Sequence, residues 1–362
     1  MINYVRNMYY ILGLFSYVLT VCFIVFLEKP VKILGLVDQP TGRKTHSGNI
    51  PLSGGLSIFG SISVVSYFRG DLFGLCYPWY TATVLLIVVA LLDDRFDLNP
   101  TIRLIAQTLA TFIMIIWGDV YVVELGDLFG FGNIVLNYLS IPFTLFCVVG
   151  IINAINMIDG IDGLAGGIVF VVLFLYGILI FFTDLNLLFL FIISLSCSVL
   201  AFLSFNMRTP WRSQAKVFLG DSGSMMLGFS LAWISISITN PKNYILPPIA
   251  TVWILGVPIL DTISIMLRRI IKKQSPFTAD REHIHHILLC AGFNQVQTVF
   301  IIVVISLIMG SVGLIGSYNK LPDYIMFYGF FIVFIVYNIS IFYAWKLMKV
   351  VRIIHDRMRF SE

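Results

Sequence analysis

Charge is scarce in this chain. Of 362 residues only 12% are Asp, Glu, Lys or Arg and 59% are hydrophobic, whereas a soluble domain is about half apolar and about a quarter charged. With a mean hydropathy of +0.94, the shortage excludes a protein that is mostly soluble mass. Cysteine is thin as well. The five (Cys22, Cys76, Cys147, Cys197 and Cys290) are scattered and form no CxxC pair, so they offer neither a disulfide framework nor a thiolate metal clip. No small-x-small cleavage site follows the first apolar run, and residues 8–27 therefore read as a retained helix. Internal repeats, low-complexity tracts and interdomain linkers are missing too, so residues 1–362 read as one integral membrane domain. The net charge of +4 is modest and goes with no nucleic-acid partner.

What the chain has in quantity is long apolar runs. A helix needs about 20 such residues to cross a bilayer. The pattern predicts an all-α polytopic membrane protein of about eleven transmembrane helices. They fall near residues 8–27, 52–68, 72–92, 103–118, 134–156, 163–183, 185–205, 222–239, 244–268, 296–316 and 324–345. The second and fourth are short for a full crossing. The ninth carries Pro247, Pro248, Gly256 and Pro258. Proline removes a backbone donor and clashes with the preceding turn, so this segment is expected to bend or break. All lysines and arginines except Arg6, Arg69, Lys242 and Lys320 fall on loops that share a side with the C-terminus. The positive-inside rule then sets the N-terminus outside and the C-terminus in the cytoplasm. On the outer side, residues 119–133 alternate and carry Gly126, Gly130 and Gly132, which predicts a small extracytoplasmic β-hairpin. The basic stretch 346–359 reads as helical and suits anionic lipid heads, although ordinary positive-inside bias accounts for its charge equally well.

Four short polar motifs interrupt the apolar pattern, and the orientation puts all of them on the cytoplasmic side. Asp93 and Asp94 end the third span, and Asp97 shares their face if the helix continues. Asp159 and Asp162 stand three apart where the fifth span gives way to the sixth. Clustered carboxylates repel and drift toward protonation unless a positive charge sits among them. Mg²⁺ takes oxygen ligands and shares them with substrate phosphates, so it is the natural partner. One acidic pair alone reads as well as a solvated helix cap. Three clusters on one membrane face point to function, since ionisable residues in such segments are costly.

The remaining motifs are weaker singly. Gly160, Gly163, Gly166 and Gly167 allow close backbone approach to a ligand, although small-residue helix packing explains the last two. Asp221 opens the eighth span within Gly220–Ser224, a place suited to an anion or to a simple N-cap. His283, His285 and His286 follow Arg281, and both residue types donate to phosphate or sugar oxygens. A zinc site competes, but no fourth ligand is evident. The loop Asp38–Pro51 holds Arg43, Lys44 and His46 and suits a second phosphate. The residues therefore point to a metal-dependent site acting on phosphates at a membrane surface.

Taken together, the strings LDDRFDL, NAINMIDGIDGLAGG, KVFLGDSGS and DREHIHHIL resemble those of the polyprenyl-phosphate N-acetylhexosamine-1-phosphate transferases. The likeness runs from Asp38 to beyond His286. Ile284 interrupts the histidine run, which is similar to the GlcNAc-type branch rather than the phospho-MurNAc-pentapeptide branch with three adjacent histidines. The resemblance implies a multi-pass enzyme of the bacterial inner membrane with its active site facing the cytoplasm. It implies transfer of GlcNAc-1-phosphate from UDP-GlcNAc to undecaprenyl phosphate with Mg²⁺ or Mn²⁺, releasing UMP and initiating a cell-surface glycan such as O-antigen. A homodimer stays open. By motif position, Asp221, with Asp94, would hold the metal. Asp93 and Asp94 would handle the lipid phosphate, Asp159 and Asp162 would orient the nucleotide sugar and metal, and Asn156 would contact the nucleotide. Phe218 would stack on uracil. Arg281, His283, His285 and His286 would hold pyrophosphate and sugar, and Lys44 and His46 match the family's basic loop. Direct attack and a covalent aspartyl intermediate both remain readable, with direct attack favoured.

Three other readings stand beside this one. A secondary transporter shares the buried acids and the broken helix, but its site would lie near the midplane; Asp261, deeper in the ninth span, is the one acid that suits it. A membrane scaffold has no positive feature to support it. Within the family, a GalNAc, FucNAc or QuiNAc donor is compatible with every residue named.

Overall fold

The computed structural model describes residues 2–38, 48–209, 211–273 and 283–359. The chain is a helical bundle. In order it forms α1 (Ile2–Ile33), a two-residue ribbon of β1 (Val37–Asp38) and β2 (Ile50–Pro51), α2 (Gly54–Phe68), α3 (Gly70–Phe96) and α4 (Pro100–Ile116). Then come α5 (Ser140–Ile158), α6 (Leu164–Phe181), α7 (Asn186–Asn206), α8 (Gly220–Thr239), α9 (Pro248–Ile254) and α10 (Gly256–Ile271). The chain continues as α11 (Ile284–Cys290), α12 (Gln295–Tyr318) and α13 (Asp323–Arg359).

Among the described residues, eight helices are long and apolar enough to cross a membrane, and α9 with α10 makes a ninth if the bent pair counts as one span. The chain is a multi-pass membrane protein. Each of the eleven apolar segments coincides with a helix or with the bent pair. However, α2 and α4 have only 15 and 17 residues. At about 1.5 Å per residue they reach roughly 22 and 26 Å, short of a hydrocarbon layer of about 30 Å.

The proline-rich segment breaks as its composition predicts. The axes of α9 and α10 meet at 83°. Pro248 opens α9 and Pro258 lies in the first turn of α10, where a helix has no intrahelical acceptor for the N–H that proline lacks.

The outer hairpin is where expectation and structure part. Residues 123–136 do fold back, with the Leu125 N–H donating to Ile134 O at 2.9 Å and Leu136 N–H to Val123 O at 2.9 Å. Only one isolated bridge forms, Glu124 with Val135, and no strand. Asp127 Oδ1 instead accepts the Gly130 and Gly132 N–H groups at 2.8 and 2.9 Å, so side-chain bonds satisfy the amides a longer ladder would use. The two-stranded sheet lies elsewhere, in β1 and β2, pairing Val37 with Pro51 and Asp38 with Ile50.

At the centre stands α8, buried along almost its whole length. A helix enclosed by others in a membrane gains nothing from polarity unless every polar group is satisfied internally. Ser230 and Ser235 meet that condition by bonding back to their own helix and outward. Ser230 Oγ donates to Met226 O at 2.8 Å and accepts from Trp79 Nε1 at 3.1 Å. Ser235 Oγ pairs with the Tyr176 hydroxyl at 2.6 Å. At Gly223, α8 comes so close to Gly55 of α2 that a Cβ on either would overlap the other's backbone. This close approach of small residues seats the first turn of α8, and with it Asp221.

Candidate active site

One end of the bundle gathers the polar motifs. The last turn of α3 ends there because Asp97 turns left-handed (φ 51) and stops the helix. Asp97 therefore does not continue the face of Asp93 and points away, exposed. Two residues later Asn99 caps α4, its Oδ1 accepting from Thr101 N–H at 2.9 Å with Pro100 in the first turn. This tight reversal brings Arg103 back over the end of α3. Its Nη1 lies 3.1 Å from Asp93 Oδ2 and 3.2 Å from Asp221 Oδ2. Asp93 also accepts the Leu98 N–H at 2.8 Å.

The start of α8 meets these groups. Gly220 has φ +72, and a Cβ there would stand 3.2 Å from Asp94 Oδ2, so both conformation and space call for glycine. The Asp221 N–H points at Asp94 Oδ1, 3.4 Å away. From α5, the Asn156 carboxamide donates to Asp221 Oδ1 and to Ser224 Oγ, each at 2.9 Å. One turn earlier Asn153 donates to Gln107 Oε1 of α4 at 2.8 Å.

The glycine-rich turn after α5 carries the second acidic pair. Gly163 has φ +86 and gives its N–H to Asn206 Oδ1 at 2.7 Å, while Asn206 Nδ2 donates to Val217 O at 2.9 Å. Asn206 thus ties this turn to the segment that leads into Asp221. Asp162 is paired with Arg208 Nε at 2.7 Å. Asp159 itself reaches solvent in this turn, among the neighbouring acids. Crowding by protein, then the charges of Asp221, Asp162 and Asp94, push its carboxyl up to about 7. Phe218 is fixed through its backbone, its N–H donating to Pro51 O and its carbonyl accepting from Gly54 N–H, both at 3.0 Å. These bonds also set the base of the β1–β2 loop beside the site.

The histidine turn closes the opposite wall. His283 Nδ1 is 2.8 Å from Asp261 Oδ2. The His285 ring lies nearly parallel to that of His283, 5.4 Å away, and 4.3 Å from that of His286. It also packs on Gly160, where a Cβ would strike its Nε2. Both His285 ring nitrogens are buried without a hydrogen-bond partner. Burial first, then the neighbouring His286 and His283, hold the ring down to about 3, so it is neutral at any physiological pH.

The structure therefore brings together Asp93, Asp94, Asn156, Asp159, Asp162, Phe218, Asp221, His283, His285 and His286. Lys44, His46 and Arg281 lie outside the described residues. Three partners escaped the reading of the sequence: Arg103, Arg208 and Asp261. The first two appear there only as positive-inside charge, and Asp261 only as a deep acid suited to a transporter. The carboxylates sit at helix ends, in the last turn of α3, the first turn of α8 and the turn after α5, rather than at the bilayer midplane a transporter site would occupy.

The donor set fits a hard divalent cation. Asp94 Oδ2 is buried without a partner beside Asp221, and Asp159 is crowded by three other acids. Among the described residues no three His, Cys, Asp or Glu side chains form a finished cage. An ion such as Mg²⁺ takes one or two carboxylates and completes its shell with water and substrate phosphate.

Membrane-length helices converging on an acid-lined cleft at one end define a multi-pass membrane protein with a polar site for charged substrates. The model of the family described as glycosyl transferase family 4 matches residues 77–239, which run from α3 through α8. The chain is 34% identical over 95% of its length to the undecaprenyl-phosphate alpha-N-acetylglucosaminyl 1-phosphate transferase of Escherichia coli K12, covering 94% of that protein. Proteins of the same name from Haemophilus influenzae (35%, covering 88% of this chain and 90% of the relative) and Yersinia pestis (33%, covering 96% and 95%) are similar over comparable spans. The chain belongs to glycosyl transferase family 4 and is a membrane-bound transferase.

Proposed function

We propose that the protein transfers GlcNAc-1-phosphate from UDP-GlcNAc to undecaprenyl phosphate at the cytoplasmic face of a bacterial inner membrane. The product is undecaprenyl-pyrophosphoryl-GlcNAc, the first intermediate of a surface glycan. The reading rests on one observation above the rest: five carboxylates from three separate helix ends gather at one end of the bundle, and among the described residues Arg103 and Arg208 are the cations paired with them. Such an excess of negative charge is costly unless a cation and a phosphate substrate share the site. Eleven crossings, with α2 and α4 ending at the interface and the N-terminus outside, agree with the distribution of lysine and arginine.

The reaction asks for little covalent chemistry from the protein. An oxygen of the lipid phosphate attacks the β-phosphorus of UDP-GlcNAc. The anhydride bond to the α-phosphate breaks, and UMP leaves with that bridging oxygen. A phosphate monoester is already a nucleophile, so rate comes from alignment and charge neutralisation. Mg²⁺ or Mn²⁺, held by Asp221 and Asp94, would supply neutralisation of the pyrophosphate charge. Arg103 keeps Asp93 and Asp221 apart from mutual repulsion and fixes both carboxylates. Asn156 orients Asp221 by donating to it. Phe218 offers an aromatic face for the uracil. His285, neutral and unpartnered, can donate from one ring nitrogen to a phosphate or sugar oxygen.

Purified protein in nanodiscs, given undecaprenyl phosphate and a panel of UDP-N-acetylhexosamines, tests the reading by UMP release. UDP-GlcNAc is expected to show the highest kcat/KM. A clearly better donor among UDP-GalNAc and the FucNAc and QuiNAc types would replace the sugar assignment. No UMP release with any donor would remove the reading.

A further inference from the structure

Asp261 is fully buried in α10, five residues past the bend with α9. A lone carboxylate at such a place is expensive, and this one is heavily bonded. Its Oδ2 meets His283 Nδ1 at 2.8 Å, and its Oδ1 accepts the backbone N–H of Ile284 at 3.1 Å and the hydroxyl of Tyr337 at 2.7 Å. The three donors come from both sides. His283 and Ile284 are the entrance to α11, and Tyr337 belongs to α13, the last helix. α13 packs on α9, α10 and α11, so the phenol joins the end of the chain to the histidine turn through one carboxylate.

The consequence reaches the acid cleft. His283 spends Nδ1 inward on Asp261 and is itself buried. His285 stands parallel to it, 5.4 Å away, and lies against Gly160 with neither ring nitrogen satisfied. Gly160 adjoins Asp159. The two histidines thus differ: His283 is clamped by a carboxylate, and His285, buried beside it, keeps both ring nitrogens without a hydrogen-bond partner next to the acid cluster. We propose that Tyr337 is a positioning residue of the donor site. By donating to Asp261 it fixes the carboxylate that orients His283, and so sets where His285 meets the phosphate or sugar of the nucleotide sugar. This rests on the function proposed above for its substrate, but not for its geometry.

Tyr337→Phe removes one hydroxyl and leaves the ring. It is expected to raise KM for UDP-GlcNAc about tenfold, the scale seen when an outer partner of an oriented side chain is lost, with KM for undecaprenyl phosphate unchanged. In a His283→Asn background the same change is expected to add almost nothing, because its effect passes through His283. Equal losses toward donor and acceptor, or full additivity with His283→Asn, would overturn the assignment. A readout without turnover separates this from the function itself. In the unliganded protein, carbethoxylation of His283 by diethyl pyrocarbonate, mapped by mass spectrometry, is expected to quicken several-fold in Tyr337→Phe, since the imidazole is less firmly held. An unchanged His283 rate would overturn the clamp even if the wild type proved active, and a faster rate in a protein that turns over no UDP-sugar would leave the clamp standing and remove the function. Asp261→Asn, which keeps the volume and still accepts from the phenol, serves as a second variant should Tyr337→Phe fail to fold. It is expected to show the same donor-specific loss and the same faster His283 modification, and normal values for both would overturn the clamp.

Discussion

The two ends of the bundle handle charge in different ways. At the end away from the cleft, two ion pairs form locally near the surface, while Asp127 and Asp323 accept backbone N–H groups. Lys242 pairs with Asp119, both more than half exposed, and Arg69 pairs with Asp71 within two residues. Such pairs hold their own charge and are worth little to the fold. At the other end Asp93, Asp94, Asp159, Asp162 and Asp221 share Arg103 and Arg208, and the Asp93 side chain is only 6% exposed. Arg103 serves two acids at once. The difference teaches that, among the described residues, the second end is not arranged for stability, because a fold optimised for stability would not gather more acids than bases into one cluster. The imbalance becomes favourable only when a cation and a phosphate enter.

The largest break in this comparison is expected from Asp221→Asn. It keeps the volume and the bond with Asn156 but removes one charge from the cluster. Turnover is expected to fall by about 10²–10³-fold, the scale of losing a group that stabilises developing charge. The melting temperature in detergent should hold or rise as repulsion is relieved. Retained turnover would mean that the excess of acid is not catalytic.

Arg103→Ala attacks the comparison from the other side. It leaves Asp93 and Asp221 facing each other without their shared cation. Turnover is expected to drop by at least tenfold and stability by about 1–2 kcal/mol, below the full cost of orphaning a buried charge because Arg103 is 32% exposed. Denaturation in detergent and the UMP assay read the two effects separately. A normal melting temperature would show that the acids do not need it to fold.

A smaller effect concerns His285. Its folded pKa of about 3 lies below the unfolded value of about 6.5. The ring therefore contributes stability that is fully present above pH 6.5 and erodes as the pH falls toward 3. Asp159 has the opposite sign: raised to about 7, it favours the folded state below its unfolded value and loses that favour as the pH rises through 7. Comparing wild type with His285→Gln at pH 7.5 and 5 isolates the histidine. The wild type should lose more stability than the variant between those values, and parallel curves would show that the ring is not held neutral. The smallest effect is expected at the far end. Lys242→Ala should leave turnover and melting temperature unchanged within error, and a loss in either would dissolve the contrast between the two ends.

Much of the site was legible because its residue types are rare in such a chain. Aspartates that interrupt apolar runs stand out, and Asp93, Asp94, Asp159, Asp162 and Asp221 could be named from their positions at helix ends. The bend between α9 and α10 was legible from Pro248, Gly256 and Pro258. Arg103 was not, since its role depends on the Asn99–Pro100 turn bringing it over the end of α3. Whether Asp97 shared the face of Asp93 depended on the helix continuing, and its left-handed backbone ends the helix instead. The loop 119–133 was misjudged as a ladder because Asp127 side-chain bonds took the place of one. Tyr337 and Asp261 stand 76 residues apart, and no local pattern links a tyrosine in an apolar helix to a histidine turn.

The chain by itself determined its solvent, its helices and the residues able to do chemistry, because hydropathy and backbone restriction act locally and leave their mark in every short window. Which acid shares which arginine, which histidine is clamped and which is free, and where the last helix touches the site were decided only by tertiary packing. Those outcomes depend on distances between segments far apart in sequence, and charge repulsion, burial and hydrogen-bond reach change sharply over a few ångströms that composition does not encode.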